Sequence, residues 1–223
     1  MKEQFFGMPI WRENIDFKSY NKKEIIDTIT RNYQKNRSRN TWWSNTSNLH
    51  HMYNDWDNAE YEVPNWNNSL IGLYKGVLQR FFNSINASLF NFDFDITNYT
   101  PFFSSMWVQE FPKSGGGFHN THIHENDHIS GFYYLRCSDK TSVPVFHDPR
   151  PGALQSNLPE KNIFNITFAS KNFHYKPVPG TLILFNSYIP HEYKLDIGFD
   201  DFRFIHFNIQ FIRNEVVDYC KGL

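Results

Sequence analysis

The sequence predicts an α+β fold in which helices brace one face of a β-sandwich or jelly-roll core. A 3.6-residue apolar period is confined to the N-terminal part, and short β-branched and aromatic runs broken by Gly, Pro and Asp take over after Asn91. With 223 residues, 40% of them hydrophobic and 18% aromatic, the chain can bury one substantial core. One domain is therefore expected over residues 1–223, with 1–100 as a helical and irregular bracing region and 101–215 as the β-core.

Taking the elements in order, Asn21 followed by Glu24 is a capping signal, and Ile25, Ile26, Ile29 and Tyr33 recur at helical spacing, so a first helix is expected from about Lys22 to Tyr33. Residues 34–66, which hold Trp42, Trp43, Trp56 and Trp66 among many Asn and Asp, follow neither period and are read as irregular. From Asn68 onward Leu70, Leu73, Tyr74, Val77, Leu78, Phe81, Phe82 and Ile85 keep the i, i+3, i+4 rule, which predicts a long amphipathic helix. Strands are expected at Phe103–Phe111, His128–Leu135, Val143–Phe146, Asn165–Ala169, Thr181–Phe185 and Phe202–Ile212.

Composition bounds the partners. With 22 basic and 23 acidic residues the net charge is −1, which indicates neither nucleic acid nor an anionic membrane. No stretch reaches the roughly 18 apolar residues of a membrane helix. Two cysteines, Cys137 and Cys220, make no disulfide framework, and the N-terminus has no apolar signal region, so a soluble, cytoplasmic protein is expected. Exposed edge strands of such a barrel leave a homo-oligomer open.

The chemistry concentrates in histidines. If Thr121–Glu125 is extended, His122 and His124 point to one face, because strand side chains alternate. Two imidazoles and a third ligand suit Fe(II), Zn, Cu or Ni, and a facial set leaves positions open for oxygen and a co-substrate. The stretch Pro179–His191 supplies a turn, a buried strand, a second turn and the distal candidate, His191. A lone histidine is usually hydrogen-bonded or on the surface, and His119 and His128 are read that way.

Arg203 shares strand phase with Ile205, Phe207, Ile209 and Phe211, and an arginine on an apolar face requires an anionic partner. A small-molecule carboxylate fits its fork, and a structural Asp or Glu is the alternative. Phe204, His206, Asn208 and Gln210 fall on the other face, expected to be exterior or packed under a helix. Tyr133 and Tyr134 alternate, so one faces the barrel interior, and Tyr134 is the candidate to hydrogen-bond a co-substrate. Arg150, in Asp148-Pro-Arg150, either clasps substrate or caps its loop. Gly115-Gly-Gly117 lacks the setting of a phosphate loop and is read as a flexible hairpin or lid beside the metal.

At His122-Ile-His124, Ser130-Gly-Phe-Tyr-Tyr134, Asp148-Pro-Arg150, Pro179–Phe185 leading to His191, and Arg203 leading to Asn208, the chain resembles the 2-oxoglutarate/Fe(II)-dependent oxygenases. The resemblance is closer to a subgroup known from bacteria and phages, which Pro9-Ile-Trp11 and Asn40–Ser44 also resemble. It implies a double-stranded β-helix (jelly-roll, cupin-like) core, with Fe(II) held by His122, His124 and His191. It also implies 2-oxoglutarate on that metal with its far carboxylate on Arg203, O2 as the oxidant, and substrate hydroxylation with succinate and CO2 as co-products. The wider superfamily has His-x-Asp or His-x-Glu where this chain has His122-Ile-His124, so the site is either all-histidine or takes Glu125 or Asp127 in place of one imidazole. Two other readings stand beside this one. One is a three-His cupin-type dioxygenase that uses no 2-oxoglutarate, with Arg203 on the substrate's own carboxylate. The other is a non-catalytic β-barrel module that binds through residues 40–66.

Overall fold

The computed structural model describes residues 8–15, 39–40, 44–46, 48–51, 81–150, 161–162, 164–165 and 170–222. The expected helix at 22–33, the tryptophans of 42–66, residues 68–80 of the second helix and most of the strand expected at Asn165–Ala169 lie outside them.

Among the described residues, twelve strands form two six-stranded sheets. The larger contains β1 (Ile10–Asn14), β10 (Thr181–Asn186), β7 (Ile129–Arg136), β12 (Arg203–Arg213), β5 (Tyr99–Glu110) and β4 (Asn48–His51), in that spatial order. The smaller runs β2 (Arg39–Asn40), β3 (Ser44–Thr46), β6 (Phe118–His122), β11 (His191–Tyr193), β8 (Pro144–His147) and β9 (Asn172–His174). From β5 to β12 the chain changes sheet at every step except between β8 and β9, and neighbouring strands pair antiparallel. That winding is a double-stranded β-helix, as the resemblance implies.

Helix α1 continues through 81–91, past the last apolar position of the sequence pattern, and a second helix, α2 (Asn214–Lys221), which the sequence reading does not contain, follows β12 directly. The bracing region differs from expectation as well. Residues 39–40, 44–46 and 48–51, read as irregular, are strands, and Ile10–Asn14 caps the larger sheet beside β10. Such two- to five-residue pieces draw their order from a neighbouring strand, and that pairing leaves no period in a Trp- and Asn-rich stretch.

Two apolar layers result. On the outer face of the larger sheet, Phe81, Ile85 and Leu89 of α1 pack on Met106, Val108, Tyr133, Leu182, Leu184, Ile205, Phe207 and Ile209. Between the sheets lie Phe111, Phe132, Tyr134, Phe146, Ile183, Phe185, Tyr193, Phe202 and Phe204. Adjacent residues thus serve opposite layers, Tyr133 the outer and Tyr134 the inner, as the period of two requires.

Gly131 is a point of close approach on β7. It lies opposite Leu184 on one side and Phe207 on the other, and a Cβ there would come within 2.3 Å of the Phe207 ring and 2.9 Å of Leu184. Gly131→Ala should therefore cost about 1–3 kcal/mol of stability by overpacking. A urea-unfolding midpoint equal to that of the wild type would show that the outer layer yields at this point.

Candidate metal centre

The antiparallel pairing of β6 with β11 sets His191 directly opposite His122. β6 ends at His122, and two residues later His124 is held by its backbone N–H, which donates to the Ser187 carbonyl at 3.0 Å. His122, His124 and His191 each offer a ring nitrogen, and the three nitrogens lie within 4.8 Å of one another. Ring centroids are 4.4 Å apart for His122 and His191, 5.1 Å for His122 and His124, and 5.2 Å for His124 and His191.

The outer edges of two of these rings are pinned. His122 Nδ1 lies 2.7 Å from the Asn120 carbonyl and His191 Nδ1 lies 3.0 Å from that of Ile189. A carbonyl only accepts, so both Nδ1 atoms carry the proton and both Nε2 lone pairs are left for an ion. Nε2 of His124 and Nε2 of His191 are buried with no hydrogen-bond partner among the described residues. Buried ring nitrogens left without a partner cost energy unless something occupies them, and a divalent cation fits the set. Burial also keeps the imidazoles neutral. It lowers the proton affinity of His122, takes His124 down to about 3 with help from the charge of His122, and depresses His191 well below the ordinary value.

Of the carboxylates considered in place of an imidazole, Asp127 accepts the Ser104 hydroxyl, and Glu125 is exposed in a turn next to Asn126, whose φ is 67°. Beneath the trio, His191 is ringed by Phe185 at 4.8 Å, Phe132 at 5.6 Å and Phe146 at 6.4 Å. Deeper on the same faces, the hydroxyls of Tyr134 and Tyr193 bond to each other at 2.6 Å, and burial raises both phenols well above their usual range.

Several sequence-stated roles change in the structure. The β12 face expected to be exterior or packed under a helix is the one that meets the site: Phe204, His206 and Asn208 are buried. His206 lies 4.6 Å from His124 and 4.1 Å from Trp107, and its Nε2 has no hydrogen-bond partner among the described residues. The sequence signal was there, since four polar or aromatic residues alternating with Ile and Phe can equally be the lining of a barrel. One face of β12 meets the space between the sheets and the other is covered by α1, so both are buried. Arg203 is buried on the face of Ile205 and Phe207, and its anionic partner there is Glu110, at 2.6 Å from the guanidinium. Arg150 forks onto Asp148 at the exposed loop, with contacts of 2.5–3.1 Å. Gly115–Gly117 is not beside the metal. It precedes β6 at the end remote from His122 and is strapped to the 196–198 loop, with Gly116 N–H donating to the Asp196 carbonyl at 2.8 Å and Asp196 N–H to that of Gly117 at 2.7 Å.

Four imidazoles, those of half-buried His122 and His124 and of buried His191 and His206, bind protons more weakly in the folded chain than in the unfolded one. Unfolded histidine protonates below its ordinary 6.5, whereas folded His124 waits until about 3. The stabilisation is therefore complete above the unfolded value and is lost as pH falls from there toward the folded values. The urea midpoint of chelator-treated protein should drop between about pH 7.5 and about pH 5.5, by at most roughly 1.4 kcal/mol per lagging imidazole per pH unit. An unchanged midpoint would mean that these rings are solvated.

Comparison with known proteins agrees with this geometry. Residues 105–199, which carry all three histidines, match the family described as "Putative 2OG-Fe(II) oxygenase". A prolyl-4-hydroxylase of Pseudomonas putida shares the fold with a TM-score of 0.51 at 13% identity, over 90% of this chain and 92% of that one. A Trichoplax adhaerens prolyl hydroxylase, solved with a hypoxia inducible factor peptide fragment, gives 0.53 at 12% identity over 89% and 82%. The non-haem α-ketoglutarate-dependent epimerase SnoN from nogalamycin biosynthesis gives 0.55 at 7% identity over 90% and 76%. No curated protein sequence matches the chain. No helix among the described residues is long and apolar enough to cross a membrane. The match over residues 105–199 and the winding of its two sheets make the β-core that gathers His122, His124 and His191 similar to that of the 2-oxoglutarate/Fe(II)-dependent oxygenases.

Proposed function

We propose that this protein is a 2-oxoglutarate- and Fe(II)-dependent oxygenase that hydroxylates its substrate, with His122, His124 and His191 holding the metal. The observation that carries the reading is the convergence of three neutral imidazoles, two of them with Nδ1 tied back to carbonyls. Fe(II) and 2-oxoglutarate, when bound there, supply oxidation of an unactivated C–H bond by O2, with succinate and CO2 as co-products. The chain's own part is to position and to exclude water. Phe132, Phe146 and Phe185 wall off His191. Of the two hydroxyl protons in the Tyr134–Tyr193 pair, one bridges the oxygens and the other remains to donate, so Tyr134 is the hydrogen-bond partner proposed for the co-substrate. Arg203 is proposed for the far carboxylate on the resemblance, a role that requires it both to give up Glu110 and to turn from the Ile205 and Phe207 side of β12 toward the side that meets the histidines.

A second reading, the three-His dioxygenase that needs no 2-oxoglutarate, is favoured by the uncharged ligand set and by the hold of Glu110 on Arg203. Oxygen uptake that proceeds equally well without 2-oxoglutarate would select it.

Anaerobic protein loaded with Fe(II) and titrated with 2-oxoglutarate should develop a saturable visible charge-transfer band that His191→Ala abolishes. Iron bound without such a band would sink the reading. Arg203→Ala should weaken 2-oxoglutarate binding by about 30- to 100-fold, the worth of a charge-assisted bidentate contact, while leaving Fe(II) affinity nearly intact. A loss of stability with unchanged 2-oxoglutarate affinity would leave Arg203 only its ion pair with Glu110.

A further inference from the structure

The third imidazole is held differently from the other two. His124 Nδ1 faces no carbonyl but the side-chain amide of Asn208, whose Nδ2 lies 3.3 Å away. With an NH2 group against Nδ1, that nitrogen must accept, so neutral His124 carries its proton on Nε2, the atom that looks toward His122 and His191. A proton there and a metal ion cannot coexist. The ring is confined, its backbone tied to Ser187 and its faces flanked by Trp107 and His206 at 5.8 and 4.6 Å.

Asn208 itself sits in a buried polar row running across the larger sheet. Register places Ser105 of β5 and Ser130 of β7 on either side of it. Its Oδ1 accepts Ser130 Oγ at 2.7 Å, its Nδ2 donates to Ser105 Oγ at 2.9 Å, and Ser130 Oγ continues to Ser187 Oγ at 2.9 Å. Every partner of the amide other than His124 is a hydroxyl, which donates or accepts with equal ease. Turning the amide over therefore keeps both of its ends hydrogen-bonded, at the cost of one N–H partner. Oδ1 then accepts from His124 Nδ1–H and Ser105 Oγ–H, Nδ2 donates to Ser130 Oγ, and Ser130 Oγ–H turns to Ser187. A carbonyl on each side of Asn208 would have blocked the reversal, and the serines permit it.

We propose that Asn208 is the positioning residue for His124. Its amide reverses when the site fills, and the reversal selects the tautomer whose Nε2 lone pair completes the three-His set. The proposal rests on reading His122, His124 and His191 as a metal site. It makes Asn208 the neutral counterpart of the carboxylate that usually orients a metal-bound histidine, and such outer partners typically govern 10- to 100-fold in metal affinity.

The test uses the full chain freed of metal, with Zn(II) as a diamagnetic probe, histidine side-chain nitrogen NMR for the tautomer and chelator competition for affinity. In the wild type, His124 should be the Nε2–H form without metal and the Nδ1–H form with Zn(II). Asn208→Asp, which can only accept, should show Nδ1–H before metal is added and should bind Zn(II) at least as tightly as the wild type. Asn208→Leu should lose about 10- to 100-fold in affinity. Should the leucine variant fail to fold, the aspartate variant and the wild-type tautomer still decide the matter. A purely structural Asn208 would make the buried aspartate as harmful to Zn(II) binding as leucine, and that result, or His124 already in the Nδ1–H form without metal, overturns the proposal. A wild type that takes up no metal, or a His191→Ala variant that retains it, instead fails the metal reading and takes the proposal down with it.

Discussion

The antiparallel register of β6 against β11 is the constraint on which the site depends. His122 ends one strand and His191 begins the other, so a single backbone pairing brings together two imidazoles 69 residues apart in sequence. Side-chain forces alone could not hold that geometry. Three mutually close imidazoles gain nothing from each other without an ion, and their burial costs free energy unless the rings stay neutral. The aromatic layer between the sheets accepts that cost and shields the group, while the Asn120 and Ile189 carbonyls fix which nitrogen of each ring faces inward.

The larger sheet supplies the floor. β12, its longest contact with β5 and β7, divides its residues between two tasks by simple alternation. Ile205, Phe207 and Ile209 hold α1 and the outer layer, and Phe204, His206 and Asn208 line the inside. A register irregularity sits between Asn208 and Ile209 against β5, beside the polar row of Ser105, Asn208 and Ser130. Bulges of this kind re-aim side chains next to functional sites, and here one adjoins the residue that touches His124.

Much of this was legible in the chain. Short β-branched and aromatic runs between Gly, Pro and Asp clusters located β5, β7, β8, β10 and β12 within a few residues, and the His122, His124 and His191 set followed from spacing and from the resemblance. The remainder was hidden for physical reasons. β2, β3, β4 and β11 are two to four residues long and exist through their neighbours, which no local pattern records. His206 and Asn208 were expected to be exterior or packed under a helix, because alternation separates the two faces of β12 without saying which one α1 covers. The need of Arg203 for an anion was read correctly, yet nothing in the sequence distinguishes Glu110 of the adjacent strand from a ligand. Gly115–Gly117 looked like a lid because flexibility is visible in composition while the strap to Asp196 is not.

The alternation along β12 also limits how the gene can change. A single-residue insertion or deletion in the middle of that strand would carry Phe207 or Ile209 to the histidines and push Asn208 and His206 into the layer under α1, undoing core and site in one step. Point substitutions can explore either face separately, and length variation cannot. Tolerated insertions should instead collect in the loops between strands and in α2, whose residues are not buried.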